Sequence, residues 1–92
     1  MNKTELVAAV ADKSDITKKD AEKIVSAVFD TITESVANGE KVQIVGFGTF
    51  EQRIRKERTG VDPRNHEPIV IPESKVPAFK PGKNFKDIVD KQ

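Results

Sequence analysis

The stretch from Thr49 to Val76 limits the fold of this chain more than any other, because it reads as two extended runs joined by turn formers, with little to bury from Thr59 to Pro68. Thr49 to Arg58 alternates, with Phe50, Gln52 and Ile54 on one face of a strand and Arg53, Arg55 and Glu57 on the other. Gly60, Asp62-Pro63, Asn65 and Pro68 dominate the next stretch, and the β-rich run Ile69-Val70-Ile71 is ended by Pro72. The pattern predicts a long hairpin that leaves the body. With such an arm, 92 residues keep only a marginal core for themselves, so a second chain is expected to complete it.

Ahead of the hairpin the apolar spacing is helical. Asn2 with Glu5 forms a capping box before Leu6, Val7, Val10 and Ala11, predicting a short amphipathic helix that stops near Lys13. Ser14 to Thr17 is a turn. Thr17 caps a second helix, with Asp20 reciprocating and Ile16 stapled onto Ala21. Ala21, Ile24, Val25, Val28, Phe29, Ile32 and Val36 then recur at three- and four-residue steps as an apolar stripe. Asn38-Gly39 supplies a left-handed stop, Lys41 to Val45 alternates like a strand, and Gly46-Phe47-Gly48 makes a tight reversal. Beyond the arm, Val76-Pro77-Ala78-Phe79 suits an edge strand, and Pro81-Gly82 breaks the chain before a last helix carrying Phe85, Ile88 and Val89.

The predicted class is α+β: an N-terminal helical hairpin, a three-stranded antiparallel sheet with a long protruding β-ribbon arm, and a short C-terminal helix. Residues 1–92 form one domain, with a helical body and first strands over 1–52, the arm over 53–76, and the edge strand and last helix over 77–92.

The net charge of +1 conceals a division along the chain. Residues 1–52 carry six Lys/Arg against nine Asp/Glu, whereas residues 53–86 carry nine against four. That asymmetry suits a polyanion binder with a basic working surface, and equally a lysine-rich solvated face; charge alone does not choose. The absence of cysteine removes disulfides, thiolate metal sites and cysteine nucleophiles. No apolar signal core or membrane-length segment is seen, so the expected location is the cytoplasm, with no membrane partner.

Arg and Lys spread along both strands of a ribbon can follow two phosphate ridges, giving affinity that is independent of base sequence. Val61, Pro63 and Ile69 are apolar with no core to join; by spacing, Pro63 reads first as a turn corner, although an exposed rigid proline can also wedge between base pairs. Pro77 to Lys83 leads into a helix N-terminus where free N–H groups, with Lys80, Lys83 and Lys86, suit a phosphate. Gly46 and Gly48 lack the third glycine of a dinucleotide fingerprint. His66, the only histidine, sits beside Glu67 in an exposed loop without partners for a metal or for acid–base catalysis, and the acids of the first half read as caps and solubilising groups. The phenylalanines interleave with apolar residues, which favours packing over base stacking. Neither a catalytic residue, a metal site nor a cofactor is expected.

Met1 to Leu6, the stretch GEKVQIVGFGTF over Gly39 to Phe50, and KVPAFKPGK over Lys75 to Lys83 resemble the bacterial HU and integration-host-factor family essentially end to end. The resemblance implies an intertwined homodimer whose two β-ribbon arms embrace double-stranded DNA, with Pro63 as an intercalating wedge. It implies phosphate or groove contacts from Arg53, Arg55, Arg58, Lys80, Lys83 and Lys86, with Lys3 and Lys75 adding contacts on the flank; apart from the resemblance, Arg64 is expected to offset some of the charge lost at the tip. Phe29, Phe47, Phe50 and Phe79 are expected in the dimer core. The implied role is that of a histone-like nucleoid protein that binds duplex DNA with little sequence preference, bends and compacts it, and prefers bent or nicked sites. A sequence-preferring, integration-host-factor-like subunit is the nearest alternative, and a protein-interaction module using the ribbon edge is the alternative from another class. The chain departs from the family at the tip. Where the family commonly reads Gly-Arg-Asn-Pro-x-Thr-Gly, it has Gly60-Val61-Asp62-Pro63-Arg64-Asn65-His66, which predicts an electrostatically weakened tip.

Overall fold

The computed structural model describes residues 1–91, which run α1 (Lys3–Ser14), α2 (Lys18–Ala37), β1 (Val42–Ile44), β2 (Gly48–Arg55), β3 (Arg58–Val61), β4 (Pro68–Ile71), β5 (Ser74–Pro81) and α3 (Lys83–Asp90). Two compact units divide the chain, Met1–Glu34 and Ser35–Gln92.

In the first unit the helix ends are set by short-range hydrogen bonds. Asn2, in extended conformation, accepts the Glu5 N–H at 2.9 Å, and Thr17 Oγ1 accepts the Asp20 N–H at 3.1 Å, satisfying donors that a free helix end leaves unpaired. α1 stops one residue beyond Lys13, where Asp15 turns left-handed at φ 54°. Val7, Ala11, Ala21 and Val25 form a small buried cluster, with Leu6, Val10 and Ile16 packed against it, as the staple of Ile16 onto Ala21 requires. The rest of the stripe in this unit is less covered: Ile24, Val28 and Phe29 remain 52%, 50% and 47% exposed.

In the second unit Gly39 ends α2 at φ 84°, and the Gly39 and Glu40 N–H groups reach back to Val36 and Ser35. Gln52 of β2 donates to the carbonyl of Val36, which also accepts from Gly39, and to that of Ala37, at 3.2 and 3.4 Å, which ties the helix end to the sheet. The sheet has the order β1-β2-β5, antiparallel throughout, so β5 with its prolines is an edge strand, as expected. The Ile44 to Phe47 turn has Gly46 at φ 84°, and its Phe47 carbonyl accepts the Gly82 N–H at 2.7 Å, which anchors the start of α3. Phe47, Phe50, Phe79 and Phe85 pack with ring centroids 4.7 to 6.4 Å apart. Phe85 thus joins three of the rings expected in a dimer core, while Phe29 lies in the other unit.

The arm is jointed rather than continuous. β2 and β5 stay paired to Arg55 opposite Ser74; Lys56-Glu57 and Pro72-Glu73 then fall outside strands, and β3 with β4 forms a separate two-stranded sheet from Arg58 opposite Ile71 to Val61 opposite Pro68. Pro72 has no N–H to donate, so the ladder breaks beside it.

Candidate nucleic-acid interface

The register of β2 against β5 sorts the basic residues by face, since directly opposed residues of an antiparallel pair point the same way. Thr49 opposes Lys80, Arg53 opposes Val76 and Arg55 opposes Ser74, so Lys80, Arg53 and Arg55 share one face. The other carries Phe50 opposite Phe79 and Ile54 opposite Lys75. Lys75 is therefore separated from the other three cations, a division that strand alternation without register does not reveal.

Glu51 lies on the cationic face and was not singled out from the sequence. Its side chain is 9% exposed and surrounded by Lys80 at 3.1 Å, Arg53 at 3.6 Å and Lys41 at 3.8 Å. Lys80 meets Oε1 as a close charge contact, off the direction of an aligned hydrogen bond. Contact with Lys80 holds the Glu51 carboxyl below its ordinary value of 4.5; burial opposes this, and the charges of Lys80, Lys41 and Arg53 reinforce it. The carboxylate thereby fixes three ammonium and guanidinium groups over the sheet. Alternation alone assigns Glu51 to this face; Lys41 and Lys80 come from neighbouring strands or their ends, and only the fold brings them in.

At the arm tip the Asp62 N–H donates to Glu67 O at 2.9 Å and the His66 N–H to Asp62 O at 2.8 Å, closing a loop over Pro63 to His66. Asp62 Oδ1 accepts the Arg64 N–H at 2.8 Å, and Asn65 Oδ1 accepts the Glu67 N–H at 3.0 Å. Asp62 is thus turned into the loop, with Arg64 Nε 3.8 Å from its carboxylate, instead of standing as a free charge. Pro63 is at the turn corner and is also exposed, so the corner and wedge readings are compatible. Arg64 is 92% exposed at its side chain, and Val61 and Val70 are exposed along the ribbon. Arg58 begins β3, exposed.

Gly82 caps α3 without a side-chain hydrogen bond, leaving first-turn N–H groups open beside the exposed Lys83 and Lys86. Lys3 begins α1 in the first unit and is exposed. Among the described residues no group of three or more His, Cys, Asp or Glu is placed to hold a metal ion, and no helix is long and apolar enough to cross a membrane.

The model of the family described as bacterial DNA-binding protein matches residues 1–90. DNA-binding protein HU 1 of Bacillus subtilis is 58% identical over 89 residues, 97% of each chain, and DNA-binding protein HU of Geobacillus stearothermophilus is 60% identical over 97% of this chain and 99% of its own. Among solved structures, an Anabaena HU–DNA cocrystal structure matches with a TM-score of 0.95 at 49% identity over 100% of both chains. HU from Thermotoga maritima matches with a TM-score of 0.68 at 42% identity, over 97% of this chain and 98% of that one.

Proposed function

The chain belongs to the HU family of bacterial DNA-binding proteins, and from that premise we propose how its residues divide the work of holding and bending a duplex. It binds double-stranded DNA with little sequence preference, as a homodimer, and bends it; the end-to-end match to HU in a DNA cocrystal carries this conclusion. The end-to-end relatives are HU proteins, which disfavours a sequence-preferring, integration-host-factor-like subunit.

In our reading Arg53, Arg55 and Lys80 meet phosphates from one face of the sheet, Arg58 and Arg64 extend the contacts along the arm, and Lys83 and Lys86 hold a phosphate at the start of α3. Lys3 and Lys75 contribute on the flank. Pro63 enters a base step. Supporting this are the exposure of every one of these residues and the shared face of the first three. Phe29 and Phe47, 47% and 40% exposed, are each assigned to surface that the second subunit covers, because apolar side chains left that open favour removal from water, and Phe50 and Phe79 are assigned with Phe47, whose ring they pack against. Residues 1–92 then act as one domain located at the bacterial nucleoid, and no residue is assigned a catalytic role.

The test is titration of intact and nicked duplexes at several salt concentrations with the parent and Pro63→Ala. Each phosphate contact adds about 0.9 to the slope of log K against log salt, whereas preference for a nick and the bend angle report the wedge. Unchanged bending by Pro63→Ala rejects intercalation; indifference to duplex DNA in dilute salt rejects the whole reading.

A further inference from the structure

We propose that Glu51 is a resident stand-in for a DNA phosphate, which holds back part of the positive charge of the sheet face and so limits both the affinity and the lifetime of the complex. The inference rests on the DNA-binding reading above and adds to it a residue that opposes binding. Register sets its place: Glu51 pairs with Ala78, a small residue, between the pair of Thr49 with Lys80 and the pair of Arg53 with Val76. Lys41 comes just before Val42, which pairs with Phe50. One cation thus reaches the carboxylate from its own strand and one from each side of it.

Two observations carry the proposal. First, exposure is divided unequally: the Glu51 side chain is 9% exposed, whereas those of Lys80, Arg53 and Lys41 are 60%, 55% and 72% exposed. The anion is seated in the sheet face and the cations are not, so an arriving phosphate can draw a cation away but cannot expel the carboxylate. Second, Glu51 Oε1 is buried without an aligned hydrogen bond, with Lys80 at 3.1 Å and Arg53 at 3.6 Å as its nearest charges. A carboxylate with so little water depends on those charges, and losing every one of them leaves a buried ion uncompensated, the strongly unfavourable outcome for such a group. One carboxylate among three cations therefore gives up some and keeps at least one. The face neutralises fewer phosphates than it has cations, and when a phosphate lets go the carboxylate recaptures the cation, which favours release.

The experiment measures association and dissociation rates on one intact duplex at several salt concentrations for the parent homodimer, Glu51→Gln, Glu51→Met and Glu57→Gln. Glu51→Met repeats the charge removal without a polar group, so that the test survives if one of the two variants does not fold. Glu57 is exposed between β2 and β3, and its neutralisation is the control for a change in the general field. Altering an exposed charge acts on association, whereas altering a buried charge pair acts on dissociation. The expected result is that both Glu51 variants bind several-fold more tightly, mainly through slower dissociation, with a salt dependence steeper by about 0.9 for each engaged subunit as one more cation meets a phosphate. Glu57→Gln should alter association and leave dissociation as in the parent. Rates that change in the Glu51 variants only as they do in Glu57→Gln, or an unaltered salt dependence, overturn the proposal while leaving DNA binding intact. If the parent fails to bind duplex even in dilute salt, the DNA-binding reading itself falls, and this inference with it.

Discussion

Gly48→Ala tests whether the aromatic cluster and the β2–β5 ladder are as tightly fitted as they stand. A Cβ at Gly48 would lie 2.6 Å from the Lys80 carbonyl oxygen and 2.6 Å from Cε1 and Cζ of Phe79. The oxygen belongs to the backbone of β5 and cannot turn aside. The Phe79 ring is itself confined by Phe47 and Phe50, with centroids 5.2 and 4.7 Å away. The strands must therefore separate locally, which places the cost near the upper end of the overpacking range, about 3 kcal/mol. Gly48 lies outside the left-handed region, so alanine recovers roughly 0.5–1 kcal/mol by restricting the unfolded chain. A net loss of about 2 kcal/mol lowers the melting temperature by roughly 8–16 °C. Gly39→Ala is the control, because Gly39 has φ 84° with nothing within 4 Å of its Cβ, so only backbone strain of about 1 kcal/mol applies. Thermal unfolding followed by circular dichroism, at matched protein concentration because the unit is a dimer, compares the two. A Gly48→Ala loss no larger than that of Gly39→Ala would refute the close-packing argument. Asparagine should restore stability at position 39 but not at 48.

Neutralising Glu51 should release Lys80, Arg53 and Lys41 toward phosphates, so Glu51→Gln is expected to bind duplex several-fold more tightly in dilute salt; unchanged or weaker binding counts against the arrangement. Because the folded carboxyl titrates below its ordinary value of 4.5, its contribution to stability is full above that value and fades as pH falls through the folded one; urea midpoints from pH 7 down to 3 should show this acid loss in the parent and not in Glu51→Gln. Asp62→Asn keeps the oxygen that accepts the Arg64 N–H while freeing the guanidinium, so tighter low-salt binding with an unaltered tip is expected, and identical affinity and salt slope would remove the idea of a weakened tip. Arg53→Ala should reduce the steepness of the salt dependence by about 0.9 for each subunit that engages, and Lys75→Ala by less because it lies on the opposite face; equal reductions would show that the face does not decide contact.

What could be read from the sequence was whatever depends on neighbours in the chain. Asn2, Thr17 and Gly39 act within a few residues of themselves, and their side chains or torsions suffice to place the helix ends. The alternation of β2 and the prolines of β5 likewise announce a half-covered strand and an edge. Glu51 was missed because its partners Lys41 and Lys80 converge only through strand pairing. Register also separates Lys75 from Lys80, although both belong to one basic segment. Phe85 sits at helical apolar spacing just as Phe29 does, and period alone did not tell that it joins the rings of Phe47 and Phe79, since period reports a buried face without saying what buries it.

The joint in the arm connects this anatomy to bending. Smoothly curving 20–30 base pairs by 40–90° costs about 1–6 kcal/mol, and that energy must come from contacts that a straight duplex cannot make. A rigid ribbon reaches such contacts only if its angle already suits the bend. Here the ladder stops at Arg55 and Ser74 and resumes at Arg58 and Ile71, with Lys56-Glu57 and Pro72-Glu73 unpaired between the two sheets. The interruption frees backbone torsions on both strands at the same level, so the tip can be re-aimed without breaking a hydrogen bond of either sheet. Under the proposed contacts, the sheet face of Arg53, Arg55 and Lys80 would hold the duplex near the body while the loop of Pro63 would track the kink. Restoring the ladder with Pro72→Val should stiffen the joint, leave the salt slope nearly unchanged and narrow the preference for nicked over intact DNA. If that preference stays the same while the ladder is shown to close, the joint has no part in accommodating the bend.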